Sequence, residues 1–119
     1  MEDREEIRLR ILDYLEGWYE GDAARMQRTL SPHLAKRRMV SQDEIWEVSK
    51  DWMVEATGEG KGKLAVPEKG RKEITILDQT ETMASVKIIS EDFDDYVHLA
   101  KVENAWCIVN VLWDYLKKG

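Results

Sequence analysis

The stretch from Asp94 to Tyr115, DDYVHLAKVENAWCIVNVLWDY, constrains this chain more than any other. Two runs rich in β-branched and aromatic residues are separated only by Glu103-Asn104, a gap that closes a tight antiparallel hairpin. With Val102 opposite Ala105, the ladder continues as Ala100 with Cys107, His98 with Val109, Tyr96 with Val111 and Asp94 with Trp113 on one face. The other face then carries Lys101 with Trp106, Leu99 with Ile108, Val97 with Asn110 and Asp95 with Leu112. Both faces are largely apolar, whereas a sheet with one wet side alternates polar and apolar residues. The hairpin is therefore expected to be covered on both sides, by the core on one and by a partner on the other.

Composition narrows the class. A chain of 119 residues fits one domain, residues 1–119, with one core. Its 43% hydrophobic and 35% charged content excludes disordered and fibrous classes, and five Trp supply bulk for a core or pocket. A net charge of −6 argues against nucleic acid as a partner, and Lys36-Arg37-Arg38, the basic cluster, reads as a solvated strand or loop edge. The single cysteine, Cys107, makes no internal disulfide. The start, MEDREEIRLR, is charged where a secretory signal needs an apolar run, and no run reaches membrane-spanning length. A cytoplasmic protein without a membrane partner is the expectation.

Along the chain, Ile7, Ile11, Tyr14, Leu15 and Trp18 recur at helical spacing behind a capping-box-like Asp3 and Glu6, which predicts a helix over about 4–19. Gly21 ends it and Asp22 caps a short second helix carrying Met26 and Leu30, before Ser31-Pro32. Residues 33–40 read as a short edge strand. Ser41 with Glu44 opens a third predicted helix on which Ile45, Val48, Trp52 and Ala56 share a face, closed by Gly58. Residues 57–71, TGEGKGKLAVPEKGR, read as a mobile loop without the spacing of a phosphate-binding motif. Two further strands follow, over 72–79 and 82–91, with Ile74, Ile76, Ala84, Val86 and Ile88 on the core parity. The acidic turn 91–95 lacks the pivot glycine and distal glutamate of a calcium loop, so no metal site is assigned. Helices gathered first and strands gathered last indicate an α+β fold.

The segments YLEGWYEGD (14–22), SPHLAKR (31–37) and VHLAKVENAWCIVNVLW (97–113) together resemble the Putative lumazine-binding family. That family is a branch of the nuclear-transport-factor-like superfamily, which also includes the SnoaL-like cyclases. The resemblance implies a cone: three N-terminal helices packed against a curved antiparallel sheet, enclosing a pocket, and commonly a dimer through the outer sheet face. It carries over no catalytic motif and no cofactor, so function rests on the site itself.

Three readings of that site follow. In the first, the protein binds a small molecule in a mostly apolar pocket floored by Tyr96, His98, Cys107, Val109 and Trp113, roofed by Tyr14 and Trp18, with His33 and Trp52 also in reach. In the second, it is a cofactor-free dehydratase, isomerase or cyclase in which His98 moves a proton and Tyr96, about 7 Å along the same strand face, holds a developing oxyanion. In the third, it is a non-catalytic dimeric module. The homodimer expected under all three uses Val97, Leu99, Trp106, Ile108 and Leu112 on the outer face.

Overall fold

The computed structural model describes residues 1–117. Helix α1 spans Asp3–Glu20 and ends on Gly21, whose φ of 72° is the left-handed cap that glycine adopts without strain. The expected capping box does not form. Asp3 and Glu6 instead reach the last hairpin, where Asp3 Oδ1 accepts from Trp106 Nε1 (3.1 Å) and Lys101 Nζ (3.0 Å), and Glu6 Oε2 accepts from the Trp106 backbone N–H (2.8 Å). Helix α2, Ala23–Thr29, is capped by Asp22, whose side chain accepts from the backbone N–H groups of Ala24 and Arg25. Asp13, buried on α1, binds Arg25 and Arg28 of α2 as well as Arg10, which ties the two helices together. These guanidinium groups hold its carboxyl below the ordinary range, against the opposing effect of burial.

Strand β1, Leu30–Met39, is longer than expected and lies inside the sheet. It pairs antiparallel with β2, Ile45–Val48, on one side and parallel with β6, Ala105–Tyr115, on the other. The edge position expected for residues 33–40 belongs to β2, a strand of 4 residues from the first part of the predicted third helix. Ile45 and Val48 have the i, i+3 spacing of a helix face, but pairing with β1 imposes the strand, which puts them on opposite faces and leaves Ile45 exposed while Val48 is buried. Helix α3 starts later, at Lys50–Gly58, with Ser49 as its cap accepting from the Trp52 N–H at 3.1 Å. The order is completed by β3 (Lys72–Gln79), β4 (Met83–Ser90) and β5 (Phe93–Val102), and the sheet runs β2-β1-β6-β5-β4-β3. The fold is α+β, three helices with a curved six-stranded sheet, and its β1–β6 contact is parallel where an antiparallel sheet was expected.

The hairpin turn is as read: Glu103 and Asn104 both adopt positive φ, 52° and 67°, the geometry of a two-residue turn matching strand twist. Near the turn the register also follows, with Val102 against Ala105 and Ala100 against Cys107. It then shifts. Leu99 pairs with Ile108 and His98 with Asn110, leaving Val109 as an extra residue on β6, a β-bulge. Past that point every pair moves by one, so Val97 faces Val111 and Asp95 faces Trp113. The face turned to the helices holds Asp95, Val97, Leu99, Trp106, Ile108, Val111 and Trp113, all buried. Four of the five residues expected in a dimer contact, Val97, Leu99, Trp106 and Ile108, therefore belong to the core, and Leu112 alone stays on the outer face. The driving force is plain: Trp106 and Ile108 each gain roughly 1.5–3 kcal/mol by burial, and exposing them would forfeit it.

Candidate functional site

Between the helices and the concave sheet lies a cavity of about 190 Å³, with walls that are overwhelmingly apolar. Its centre is Trp113. Around it stand Trp46 at 5.7 Å, Phe93 at 5.2 Å and Tyr115 at 5.3 Å between ring centroids, each edge-to-face, and Trp52 stands 5.7 Å beyond Trp46. Edge-to-face packing presents ring faces and ring edges alternately to the interior, which suits a flat guest. Helix α1 contributes Tyr14, Leu15 and Trp18, and Lys61 reaches the rim from the turn after α3.

One end of this cavity is polar. Tyr14 comes from α1, Lys36 from β1 and Asp95 from β5, so three separate elements deliver three different donors and acceptors to one spot. Lys36 Nζ lies 2.5 Å from the Tyr14 hydroxyl and 5.7 Å from the centre of the Trp113 ring. Asp95 is only 4% exposed, and its Oδ1 has no hydrogen-bond partner among the described residues. Burial pushes the Asp95 carboxyl up to about 6 even though the Lys36 charge pulls it back. Burial also pushes Lys36 down to about 8, against the attraction of Asp95, and raises Tyr14 well above its ordinary value, with the Asp95 charge adding to the effect.

The structure gathers some of the residues singled out in the sequence and disperses others. Tyr14, Trp18, Trp52 and Trp113 line the cavity. Tyr96 and His98 do not: they point to the outer face, Tyr96 half exposed and His98 exposed, its Nδ1 3.2 Å from Asn110 Nδ2. Cys107 pairs with Ala100 on that same outer face, and Val109 is the bulge residue. His33 is exposed on β1 and is not among the cavity-lining residues. The reason is parity: β5 turns its odd-numbered residues inward, which brings in Asp95 and sends Tyr96 and His98 out. Lys36, Trp46, Phe93, Asp95 and Tyr115 were missed. A signal for the bulge was present, since Trp106 and Trp113 are an odd number of residues apart and a regular strand cannot bury both on one face.

The segment after α3 sits at the cavity mouth and is tied down rather than loose. Leu64 N–H donates to Tyr19 O at 3.0 Å, Pro67–Lys69 forms a short 3-10 turn, and Gly62 lies so close to Trp18 that a Cβ there would stand 2.0 Å from the indole nitrogen. No helix among the described residues is long and apolar enough to cross a membrane.

The backbone is similar to several solved structures. An NTF2-like protein of unknown function from Methylobacillus flagellatus superposes with a TM-score of 0.78 at 17% identity, covering 97% of this chain and 93% of that one. Another from Silicibacter pomeroyi gives 0.74 at 16%, covering 98% and 100%. A ketosteroid isomerase-like protein from Erwinia carotovora atroseptica gives 0.68 at 14%, covering 98% of each chain. At these identities the likeness is one of fold. No curated protein matches in sequence. A family profile, however, matches residues 2–114, nearly the whole chain, and on that match the protein belongs to the Putative lumazine-binding family.

Proposed function

We propose that the protein binds a small, flat organic molecule in the aromatic cavity, and that Asp95, Lys36 and Tyr14 fix its orientation. The observation that carries this reading is Asp95 Oδ1, a buried carboxylate oxygen without a partner among the described residues, facing a cavity with room for roughly six waters. Leaving such an atom unpaired costs about 1–3 kcal/mol, which a ligand N–H or O–H offsets on binding. Lys36 and Tyr14 stand ready to donate to a carbonyl on the same edge of the guest, while the rings around Trp113 take its faces. The family description names lumazine, a flat heterocycle, and supports the same direction. Quenching of tryptophan fluorescence by flat heterocycles tests it: a ring bearing N–H beside C=O should bind at least tenfold more tightly than its N-methylated counterpart, and equal affinities would sink the proposal.

A second reading is acid–base catalysis, with the proton-moving role expected of His98 passing to Asp95 and the oxyanion-holding role of Tyr96 passing to Tyr14. It is favoured by the Asp95 carboxyl lying at about 6, near the working range of a general base. The fold shared with a ketosteroid isomerase-like protein is compatible with it at the level of fold alone. Solvent-deuterium exchange at the α-carbon of an enolisable ketone, lost in Asp95→Asn, is the measurement that separates catalysis from binding. The homodimer is retained as part of the proposal but moves to other residues. Tyr96 and Leu112, paired across β5 and β6 and each about half exposed, form the apolar centre of the outer face.

A further inference from the structure

We propose that Lys36 is a nucleophile that captures the carbonyl carbon of an aromatic aldehyde or ketone as a Schiff base, an activity that rests on the ligand-binding reading above. The geometry is that of an amine aimed into an apolar chamber. Lys36 leaves β1 between its neighbours Val48 and Val111, and its Nζ ends beside the Tyr14 hydroxyl and over the Tyr14 and Trp113 rings. Among the described residues no carboxylate lies within ion-pairing distance of it, in contrast to Lys72, Lys87 and Lys101, each of which is clamped by an acid. An ammonium left this way is held weakly in its charged form, and with its pKa at about 8 roughly a tenth of it is free amine at neutral pH.

The remaining groups complete the step. The other titratable side chains lining the cavity are Tyr14 from α1, Lys61 from the turn after α3, Asp95 from β5 and Tyr115 from β6. The Lys36 lone pair attacks the carbonyl carbon, a C–N bond forms, and the carbonyl π electrons move to oxygen, where the Tyr14 hydroxyl donates a hydrogen bond. The nitrogen passes one proton to the Asp95 carboxylate, whose Oδ1 has no hydrogen-bond partner among the described residues. That proton goes to the alkoxide oxygen to give the carbinolamine; the second N–H proton then follows to the hydroxyl as the C–O bond breaks, so that water leaves and the imine forms. Carbonyl plus amine gives imine plus water, with no oxidant or reductant.

The test uses the whole chain, 2-naphthaldehyde and sodium cyanoborohydride, which reduces an imine to a stable amine. The expected result is one naphthylmethyl group per chain, mapped by peptide mass spectrometry to Lys36 and formed at least tenfold faster there than at any other lysine. Lys36→Arg, which keeps the charge but not the nucleophile, should abolish it, and Asp95→Asn should slow it about tenfold. 2-Naphthalenemethanol, which has no carbonyl, should quench tryptophan fluorescence and compete with labelling. Label spread evenly over surface lysines while the alcohol still quenches would overturn the Schiff base and leave the binding pocket standing. Failure of the alcohol to quench, with no preference for Lys36, would remove both.

Discussion

Replacing Asp95 by Asn should make the protein more stable at neutral pH, not less. The folded protein holds this carboxyl at about 6, against an ordinary value of 3.8, mainly because burial opposes its charge. The sign follows directly. Between those two values the folded state binds more protons than the unfolded one, so stability falls as pH rises through that window and stays lowered above it. A gap of about two pH units corresponds to roughly 3 kcal/mol. The attraction of Lys36 is already contained in that figure, because the ammonium helps to set the folded value. Asn resembles the protonated acid in shape and charge, so the substitution removes the cost, less about 1 kcal/mol for an amide that finds no good partner. A net gain of about 2 kcal/mol is expected above pH 6.5, or on the order of 5–10 °C in melting temperature for a chain of this size. The assay is thermal unfolding followed by circular dichroism from pH 4 to 7.5 for both proteins. The two curves should converge toward pH 4 and separate above pH 6. A variant less stable than the parent by the same amount across the range would refute the reasoning and show that Asp95 is held by partners the structure does not contain.

Other outcomes test the arrangement from different sides. His98→Asn should leave ligand binding within about twofold, because the side chain points away from the cavity; a tenfold loss in fluorescence titration would place His98 back in the site. Leu112→Glu should shift the protein to monomer in light scattering at tens of micromolar without lowering its melting temperature by more than about 1 kcal/mol equivalent, since Leu112 is half exposed. Gly62→Ala should push Trp18 from its seat, lower stability by about 1–3 kcal/mol and redden tryptophan emission, because the added methyl meets the indole rather than a flexible chain end.

Much of the architecture was legible because it rests on local chemistry. The α1 stripe, the Asp22 cap, the tight turn at Glu103-Asn104 and the core parity of Ala84, Val86 and Ile88 all follow from spacing or from a single residue type. What was not legible is non-local. Ile45 and Val48 carry helical spacing, and only the approach of β1 selects the strand. The parallel seating of β1 on β6 depends on a crossover that no short segment encodes. The site suffered most: β5 and the first part of β6 turn the opposite face inward from the one expected, and the extra residue Val109 is what still brings Val111 and Trp113 to the inner side. Asp95 looked like part of a solvated acidic turn and Lys36 like part of a basic edge. Each is polar in sequence and meets an apolar chamber only after the sheet has curled around it. Among the aromatic residues Trp18, Trp52 and Trp113 were placed by their spacing, whereas Trp46, Phe93 and Tyr115 reach the cavity only through the tertiary fold.

The four-residue strand β2 has a consequence for how fast a guest comes and goes. It is held on one side only, by β1, yet it carries Trp46 and leads directly into the helix that carries Trp52. Two of the rings that grip the cavity thus ride on the most lightly fastened part of the sheet, while Trp113 and Asp95 ride on strands paired on both sides. Segments with few backbone fastenings open at a small fraction of the free energy of global unfolding. For the guest proposed above, residence time then follows the opening of this edge and not the strength of the core, so affinity and exchange rate can be tuned apart.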